Sequence, residues 1–245
     1  INLLTTELEF KKIKKNYIFR LVGDFQIKNL SMSAKAAKLC GLKESQVAKG
    51  IEKINSVNGR LQLIRTLPNK TKVFLDYAHT PDALSTVLKS LKNHFRKNIN
   101  LVFGCGGERD VKKRPIMSKI ANNYCNFIYV TDDNPRKENP KKIRKEIIRN
   151  LENKSYLEIP NRIKAIKMAI KNSKPNEIIL VAGKGHENYQ DYGNKILKIS
   201  DKNIIKKTKI KNKKFNKKSF NLDYNSAILK KVLKKKKSYN FLGTS

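Results

Sequence analysis

KVFLDYAHTPDALSTVLKSLKNHFRKNINLVF, residues 72–103, is the stretch that decides the fold. Val73–Leu75 is a short apolar run that predicts a buried strand, and a second strand is predicted at Asn100–Phe103. Between them, apolar residues recur at helical spacing and predict a helix from Pro81 to Phe95. Two buried strands joined by a helix indicate a βαβ unit, and the two strands of such a unit run parallel.

The same alternation continues toward the C-terminus. Helices are predicted at Arg114–Tyr124, Pro140–Leu151 and Arg162–Lys171, and further strands at Phe127–Thr131 and Ile178–Ala182. Because strands alternate with helices, we predict an α/β fold with a mostly parallel sheet that is covered on both faces.

Other elements are predicted on both sides of this series. They are a strand at Tyr17–Val22, helices at Asn29–Leu39 and Glu44–Ile54, and an extended run at Leu61–Leu67. From about Lys206 the composition becomes rich in lysine, which indicates a solvated linker. Apolar residues between Leu222 and Leu233 predict one short amphipathic helix after it.

The composition limits the class of protein. With 245 residues and 39% hydrophobic residues, the chain suits one large domain or two small ones. The net charge of +35 indicates either an anionic partner or the lysine, asparagine and isoleucine bias of an AT-rich genome, and it favours anionic small molecules in both cases. The three cysteines form no CxxC pair, which argues against a zinc site and favours a reducing cytoplasm. No apolar stretch approaches the roughly 20 residues of a membrane helix.

Polar loops follow four of the predicted strands. They are residues 76–81, 104–110, 132–136 and 183–187. In an open parallel sheet, ligands bind beyond the carboxyl ends of the strands. We therefore predict that the four loops meet at one edge of the sheet and form a binding site there.

The residue types in these loops favour a zwitterionic ligand. Arg109 and Arg136 carry guanidinium groups, which grip carboxylates, whereas Asp133 and Glu187 can hold ammonium groups. A surface ion-pair network is the alternative for the same residues. The glycines between 104 and 107 either bring backbone N–H groups close to an anion or form an ordinary tight turn. The chain has no GxxxxGK[ST] phosphate-binding loop, and its histidines lack metal-ligand spacing.

Several strings in these loops resemble the Mur ligase family. They are DYAHTPDAL at 76–84, FGCGGERD at 103–110, TDDNPR at 131–136 and VAGKGHE at 181–187. Their order and spacing agree with the family across roughly residues 18–205. The DNPR string is the most specific of them, because in this family it is associated with members that use diaminopimelate rather than lysine.

The resemblance implies a division of the chain into three parts. Residues 1–66 would be the end of the central ATP-binding domain, residues 67–207 the Rossmann-like C-terminal domain, and residues 208–245 a basic linker and short helix. The last part, from Asn221, resembles the opening of the ligase that adds D-Ala-D-Ala, as a fused protein would have. The family's UDP-sugar domain, phosphate-binding loop and carbamylated lysine would lie upstream, so we expect this chain not to catalyse the reaction alone.

The resemblance also implies an activity, that of an ATP-dependent amide ligase in the cytoplasm that requires ATP and Mg²⁺. Its other substrates would be UDP-N-acetylmuramoyl-L-alanyl-D-glutamate and meso-diaminopimelate, and neither nucleic acid nor membrane insertion is expected. ATP would phosphorylate the γ-carboxylate of the D-glutamyl residue, and the amine of diaminopimelate would attack the acyl phosphate.

Binding residues follow position by position from the matching strings. Diaminopimelate would be bound by Arg109, Asp133, Asn134, Pro135, Arg136, Gly183 and Glu187, and ATP by Asn29, Arg60, Asp76 and His79. No residue is assigned a catalytic role, and the metal ligands stay unknown. Gln26 stands where the family has asparagine, which puts a nucleotide contact from that position in doubt.

Two other functions stay open at this point. One is a Mur-type ligase that uses another amino acid, such as L-lysine. The other is a basic nucleic-acid-binding protein, which the charge supports, although no RNP, KH or zinc-finger string occurs and aromatic residues are not interleaved with the basic run.

Overall fold

The computed structural model describes residues 4–10, 13–19, 21–151 and 155–210. The helices are α1 (Asp24–Leu39), α2 (Glu44–Glu52), α3 (Pro81–Phe95), α4 (Lys113–Tyr124), α5 (Pro140–Ile148), α6 (Arg162–Lys171) and α7 (Asp201–Lys207). The strands are β1 (Leu4–Phe10), β2 (Ile13–Phe19), β3 (Gln62–Thr66), β4 (Lys72–Leu75), β5 (Ile99–Phe103), β6 (Phe127–Val130), β7 (Ser155–Glu158), β8 (Ile178–Val181), β9 (Tyr189–Asp191) and β10 (Ile196–Lys198).

Six strands form one sheet in the order β3-β4-β8-β5-β6-β7. β3 runs antiparallel to β4, and every other neighbouring pair in the sheet is parallel. Strands β5 and β8 are buried at every position, which is typical of strands covered by helices on both faces. The predicted α/β fold with a mostly parallel sheet is therefore confirmed.

Helix α3 shows why the chain leaves the sheet where it does. The Thr80 side chain accepts a hydrogen bond from the Ala83 N–H, and Pro81 occupies the first turn, where its missing N–H costs nothing. The helix is capped at its C-terminal end by Arg96, which follows Phe95 and adopts a left-handed conformation with φ 51°. The helix spans Pro81–Phe95, so its predicted bounds are confirmed, and its apolar face is buried against the sheet.

Other elements differ from the prediction. Helix α1 begins at Asp24, five residues before the predicted start. The prediction missed the first turn because its buried position is the polar Gln26, so that the apolar pattern is visible only from Leu30. The predicted strand at Tyr17–Val22 ends at Phe19 and pairs with β1 as a hairpin. Strand β7, the β9–β10 hairpin and helix α7 were not predicted. Lys206 and Lys207, placed in the solvated basic run, are the last residues of α7.

The boundary placed after residue 66 stays a prediction, although β3, on its N-terminal side, belongs to the main sheet. The Arg65 guanidinium donates to the Thr208 carbonyl at 2.7 Å and so ties β3 to the end of α7. The described residues up to Thr208 belong to one compact unit. The predicted amphipathic helix between Leu222 and Leu233 lies outside the described residues.

Candidate active site

The sheet order brings the four predicted loops to one edge. β4, β8, β5 and β6 are consecutive and parallel, so the loops that follow them lie side by side at their carboxyl ends. Because β3 is antiparallel to β4, with Gln62 opposite Leu75, the turn before β3 reaches the same edge. Five segments of distant sequence therefore surround one rim.

The loop after β6 is buried and held by its neighbours. Asp133 and Asn134 are 7% and 4% exposed, and Pro135 is also buried. The Asp133 carbonyl accepts a hydrogen bond from the Gln190 side chain at 2.6 Å. Arg136, at φ 52°, donates from Nη1 to the Gly107 carbonyl at 2.8 Å, which links this loop to the one after β5.

The loop after β8 contacts the same residues from the other side. Gly183 has φ 109°, and a Cβ there would lie 2.5 Å from Oδ2 of Asp133, so only glycine leaves room for that carboxylate. Oε2 of Glu187 accepts a hydrogen bond from Nδ2 of Asn134 at 3.2 Å. Burial raises the pKa of the Glu187 carboxyl, but hydrogen bonds from Lys184, Asn134 and Tyr77 outweigh burial and hold the pKa below its usual value.

Arg109 lies exposed in the loop after β5. A Cβ added to Gly106 would meet Nη1 of Arg136 at 3.1 Å and Cγ of Arg109 at 4.0 Å, so the two arginines flank this glycine. Asn134 links Arg136, through its carbonyl, with Glu187, through its side chain. Guanidinium and carboxylate groups therefore share one rim, and every residue predicted to bind diaminopimelate lies in one of these three adjoining loops.

Three of the residues predicted to bind ATP cluster around the ring of Tyr77. The Arg60 guanidinium lies 4.4 Å from the ring centroid, and the His79 ring packs edge-on at 4.7 Å. Asp76 precedes Tyr77 and accepts hydrogen bonds from the Leu61 and Ala78 N–H groups at 2.6 and 2.7 Å. Burial raises the pKa of the Asp76 carboxyl above its ordinary value, against the lowering effect of those two hydrogen bonds.

Asn29 is the fourth predicted ATP residue and lies exposed on α1. Among the hydrogen bonds of the described residues, none joins Asn29 to Arg60, Asp76 or His79. The contact from α1 is made by Gln26, whose Nε2 donates to the Arg60 carbonyl at 3.2 Å. Gln26, which stands where the family has asparagine, therefore forms a hydrogen bond with the Arg60 backbone at the rim.

Two central residues of the rim had no predicted role, although both lie in the quoted strings. Lys184 is fully buried among Asp133, Asn134 and Glu187. Tyr77 stands between the two groups of predicted residues, because its ring contacts Arg60 and its hydroxyl donates to Glu187 at 3.3 Å. The available signal for both was their position shortly after a mostly buried strand, in loops already predicted to form the site.

No group of three or more His, Cys, Asp and Glu residues that could hold a metal ion occurs in the part of the chain that the structure describes. The helices of that part include none with the length and apolar character needed to cross a membrane.

Comparison with known proteins identifies the family. Residues 59–185 match the family described as Mur ligase, glutamate ligase domain. A Rickettsia bellii protein named UDP-N-acetylmuramoyl-L-alanyl-D-glutamate–2,6-diaminopimelate ligase is 43% identical over 194 residues, which cover 78% of this chain and 40% of that protein. A Clostridium acetobutylicum protein of the same name, numbered 1, is 37% identical over 200 residues, covering 81% of this chain and 42% of that protein.

Solved structures agree with these matches. A structure of UDP-N-acetylmuramoyl-L-alanyl-D-glutamate–2,6-diaminopimelate ligase has a TM-score of 0.61 and 34% identity, over 80% of this chain and 40% of that one. A pseudomurein peptide ligase type C from Methanothermus fervidus shares the fold with a TM-score of 0.59 at 17% identity, over 76% of this chain and 38% of that one. The chain spans about 40% of the length of the curated relatives named here. On this evidence of sequence and fold, the chain belongs to the Mur ligase family.

Proposed function

We propose that this chain is the C-terminal part of a cytoplasmic, ATP-dependent ligase that joins meso-2,6-diaminopimelate to UDP-N-acetylmuramoyl-L-alanyl-D-glutamate. One observation carries the proposal: Arg109, Arg136 and Glu187 come from three loops and share one rim, where Gly106 lies between the two arginines and Asn134 links Arg136 to Glu187. Diaminopimelate carries an ammonium and a carboxylate at each end, so its recognition requires both signs of charge in one pocket. The names of the relatives support the same substrate.

The rim suggests a role for each group. Arg109 and Arg136 would bind the carboxylate of the distal centre, while Asp133 and Glu187 would bind its ammonium group. Pro135 and Gly183 would shape the pocket, because Gly183 leaves the space that the Asp133 carboxylate occupies. L-Lysine has no distal carboxylate and would leave the guanidinium groups without a partner, so the site would reject it.

The neighbouring Tyr77 cluster suits a nucleotide. Arg60 and His79 are exposed beside the ring and would face phosphate groups, and Asn29 would approach from α1. The Asp76 carboxylate already accepts two backbone N–H groups and would use a remaining lone pair for a ribose hydroxyl. Mg²⁺ would offset the charge of the transferring phosphoryl group, and we assign its binding to no residue among those described.

The chemistry would then proceed in two steps. The γ-carboxylate of the D-glutamyl residue would accept the γ-phosphoryl group of ATP, which supplies a leaving group that a carboxylate lacks. The reactive amine of diaminopimelate would attack the acyl phosphate and displace inorganic phosphate to leave an amide. The described residues contribute to this reaction by holding the distal end of diaminopimelate, so that the reactive amine points at the acyl phosphate.

A chimaeric enzyme tests this function, because the chain spans about 40% of its relatives. The chain would replace the matching C-terminal part of the Rickettsia bellii protein, and ADP release would be measured with diaminopimelate or L-lysine. We expect turnover with diaminopimelate only, and Arg136→Ala should lower kcat/KM for diaminopimelate about 100-fold or more while leaving KM for ATP unchanged. Equal use of both amino acids would overturn the proposed specificity.

A nucleic-acid-binding function is tested separately by fluorescence anisotropy with a DNA duplex. A steep salt dependence of DNA binding, with no binding of diaminopimelate or ATP, would favour that function instead.

A further inference from the structure

Lys184 lies at the centre of the rim but is itself shielded from solvent. Its side chain is 0% exposed. Nζ donates to Oδ1 of Asn134 at 2.8 Å and to Oε2 of Glu187 at 2.9 Å, and it lies 3.9 Å from Oδ1 of Asp133. A fully buried lysine is rare in proteins and requires charged or hydrogen-bonded partners, which these three residues supply.

We propose that Lys184 is a positioning residue that sets the orientation of the Asn134 amide and the charge of the Glu187 carboxylate, and thereby makes the rim selective for one ammonium group. The proposal rests on the proposed function for the identity of that ligand. Because the Nζ atom is buried, Lys184 would act through its neighbours rather than by contact with the substrate.

The orientation of the Asn134 amide follows from its partners. Oδ1 accepts hydrogen bonds from the Lys184 ammonium and from the Asp191 N–H at 2.8 and 3.0 Å. Two donors on one side require the carbonyl oxygen there, so Nδ2 faces Oε2 of Glu187 at 3.2 Å. Removing the ammonium group takes away one of the two donors to Oδ1 and leaves the Asp191 N–H and the Glu187 carboxylate to oppose rotation of the amide.

The charge balance gives Lys184 its second effect. Asp133 and Glu187 bring two negative charges into a buried region, and Lys184 offsets one of them. The remaining negative charge matches a single ligand ammonium. Without Lys184, like-charge repulsion and burial would favour protonation of one carboxyl group, and the attraction for the ammonium would be lost.

Other charged or titratable groups also face the Asp133 and Glu187 carboxylates. Tyr77, at the end of β4, donates its hydroxyl to Glu187. Arg162, on α6, acts on both Asp133 and Glu187 through its charge, but its guanidinium is hydrogen-bonded to Asp201. The Tyr189 ring lies 5.3 Å from Nζ of Lys184. Lys184 is therefore the cation that contacts Glu187 directly among the described residues.

The test is a double-variant cycle in the full chain, with meso-diaminopimelate binding measured by calorimetry. Lys184→Met should weaken binding about tenfold or more in the native background, but by less than about twofold once Glu187→Gln has removed the carboxylate. Lys184→Gln, which keeps an N–H donor without the charge on a side chain one atom shorter, covers the case in which the methionine variant does not fold. Lys164→Met removes an exposed lysine of α6 and should leave binding unchanged.

Carboxyl titration by carbon NMR, in the ligand-free chain, separates this proposal from the proposed function. Loss of the Lys184 charge should raise the pKa of Glu187, because the hydrogen bond and the charge of Lys184 are the largest effects that lower it. If the chimaeric enzyme does not use diaminopimelate, the proposed function fails while the titration still decides the role of Lys184. An unchanged Glu187 pKa, or equal losses of binding in both backgrounds, would overturn the role assigned to Lys184.

Discussion

The two sides of the rim are built differently. On the β6–β8 side, formed by residues 132–136 and 183–187, the polar side chains are mostly buried and hydrogen-bonded to one another. On the β3–β4 side, formed by residues 58–61 and 76–81, Arg60 and His79 are exposed and rest against the Tyr77 ring. The first arrangement fixes charges before a ligand arrives, whereas the second leaves long side chains free to adjust to one. Discrimination between similar ligands therefore belongs on the β6–β8 side.

The β6–β8 side rests on a buried ion pair. Arg162 and Asp201 have side chains that are both 0% exposed, and the Arg162 guanidinium also donates to the Ala182 carbonyl at 2.9 Å, just before Gly183. In contrast, the β3–β4 side is held by hydrogen bonds, those that Asp76 accepts from the Leu61 and Ala78 N–H groups and the one from Gln26 to the Arg60 carbonyl. Variants that weaken one support at a time should therefore have unequal effects.

The largest effect is expected from Arg162→Met. This change leaves the Asp201 carboxylate buried without its cation, so the free energy of unfolding should fall by about 3–5 kcal/mol. Urea denaturation of the full chain, followed by circular dichroism, measures that loss.

The double variant Arg162→Met with Asp201→Leu is the control for this prediction. It removes both charges, and most of the lost stability should return, because an apolar pair carries no desolvation cost. A loss below about 1 kcal/mol in the single variant would show that water reaches Asp201 and that the ion pair does not support the rim.

A second, smaller effect concerns the join between β5 and β6. Gly104 directly follows β5, and a Cβ there would lie 2.2 Å from the Thr131 carbonyl oxygen. Because the position of a Cβ is fixed by the backbone and the oxygen that it meets is a backbone atom, neither can turn aside, and Gly104→Ala should lower the free energy of unfolding by about 1–3 kcal/mol. Gly50→Ala, in α2, meets nothing within 4 Å and should raise it by about 0.5–1 kcal/mol. Equal effects of the two alanines would contradict the close approach of the β5 and β6 loops.

The sequence could predict much of this architecture because burial and periodicity agree along the central elements. The fully buried β5 and β8 are apolar runs, and α3 carries both its cap and its apolar face in sequence. Strand β7 was not predicted because it is an edge strand whose residues are mostly exposed, so its sequence SYLE carries no burial pattern. The first turn of α1 was not predicted because Gln26 occupies a buried position that usually carries an apolar residue.

The residues of the candidate site could be predicted individually, but their connections could not. Strand ends and residue types pointed to Asp133, Arg136 and Glu187. The strand order, which places β8 between β4 and β5, is what brings Glu187 between Tyr77 and Asn134. That order depends on the pairing of Ile178 with Lys72 and with Ile99, which lie 106 and 79 positions away, and no local pattern encodes it.

Tyr77 joins the two sides and allows a finer comparison. Tyr77→Phe removes only the hydrogen bond to Glu187, so the Kd for diaminopimelate should rise about two- to tenfold while the Kd for ATP stays the same. Tyr77→Leu also removes the ring beside Arg60 and His79 and should weaken the binding of both ligands. Calorimetry with each ligand measures these changes. A phenylalanine variant that weakens ATP binding as much as diaminopimelate binding would contradict a separation of the two sides.

The smallest expected effect is a pair of opposite pKa shifts. Burial places the pKa of Asp76 above its ordinary value of 3.8, whereas hydrogen bonds, chiefly from Lys184, outweigh burial and place that of Glu187 below 4.5. The contribution of Asp76 to stability is therefore present at low pH and is lost as the pH rises through its folded pKa. That of Glu187 is present above its unfolded pKa and is lost as the pH falls through its folded value.

Carbon NMR titration of the carboxyl groups, with Asp76→Asn and Glu187→Gln for assignment, should give midpoints displaced in opposite directions. Midpoints displaced in the same direction would mean that the two sides present similar environments to a carboxylate, and the contrast between a prebuilt and an adjustable side would fail.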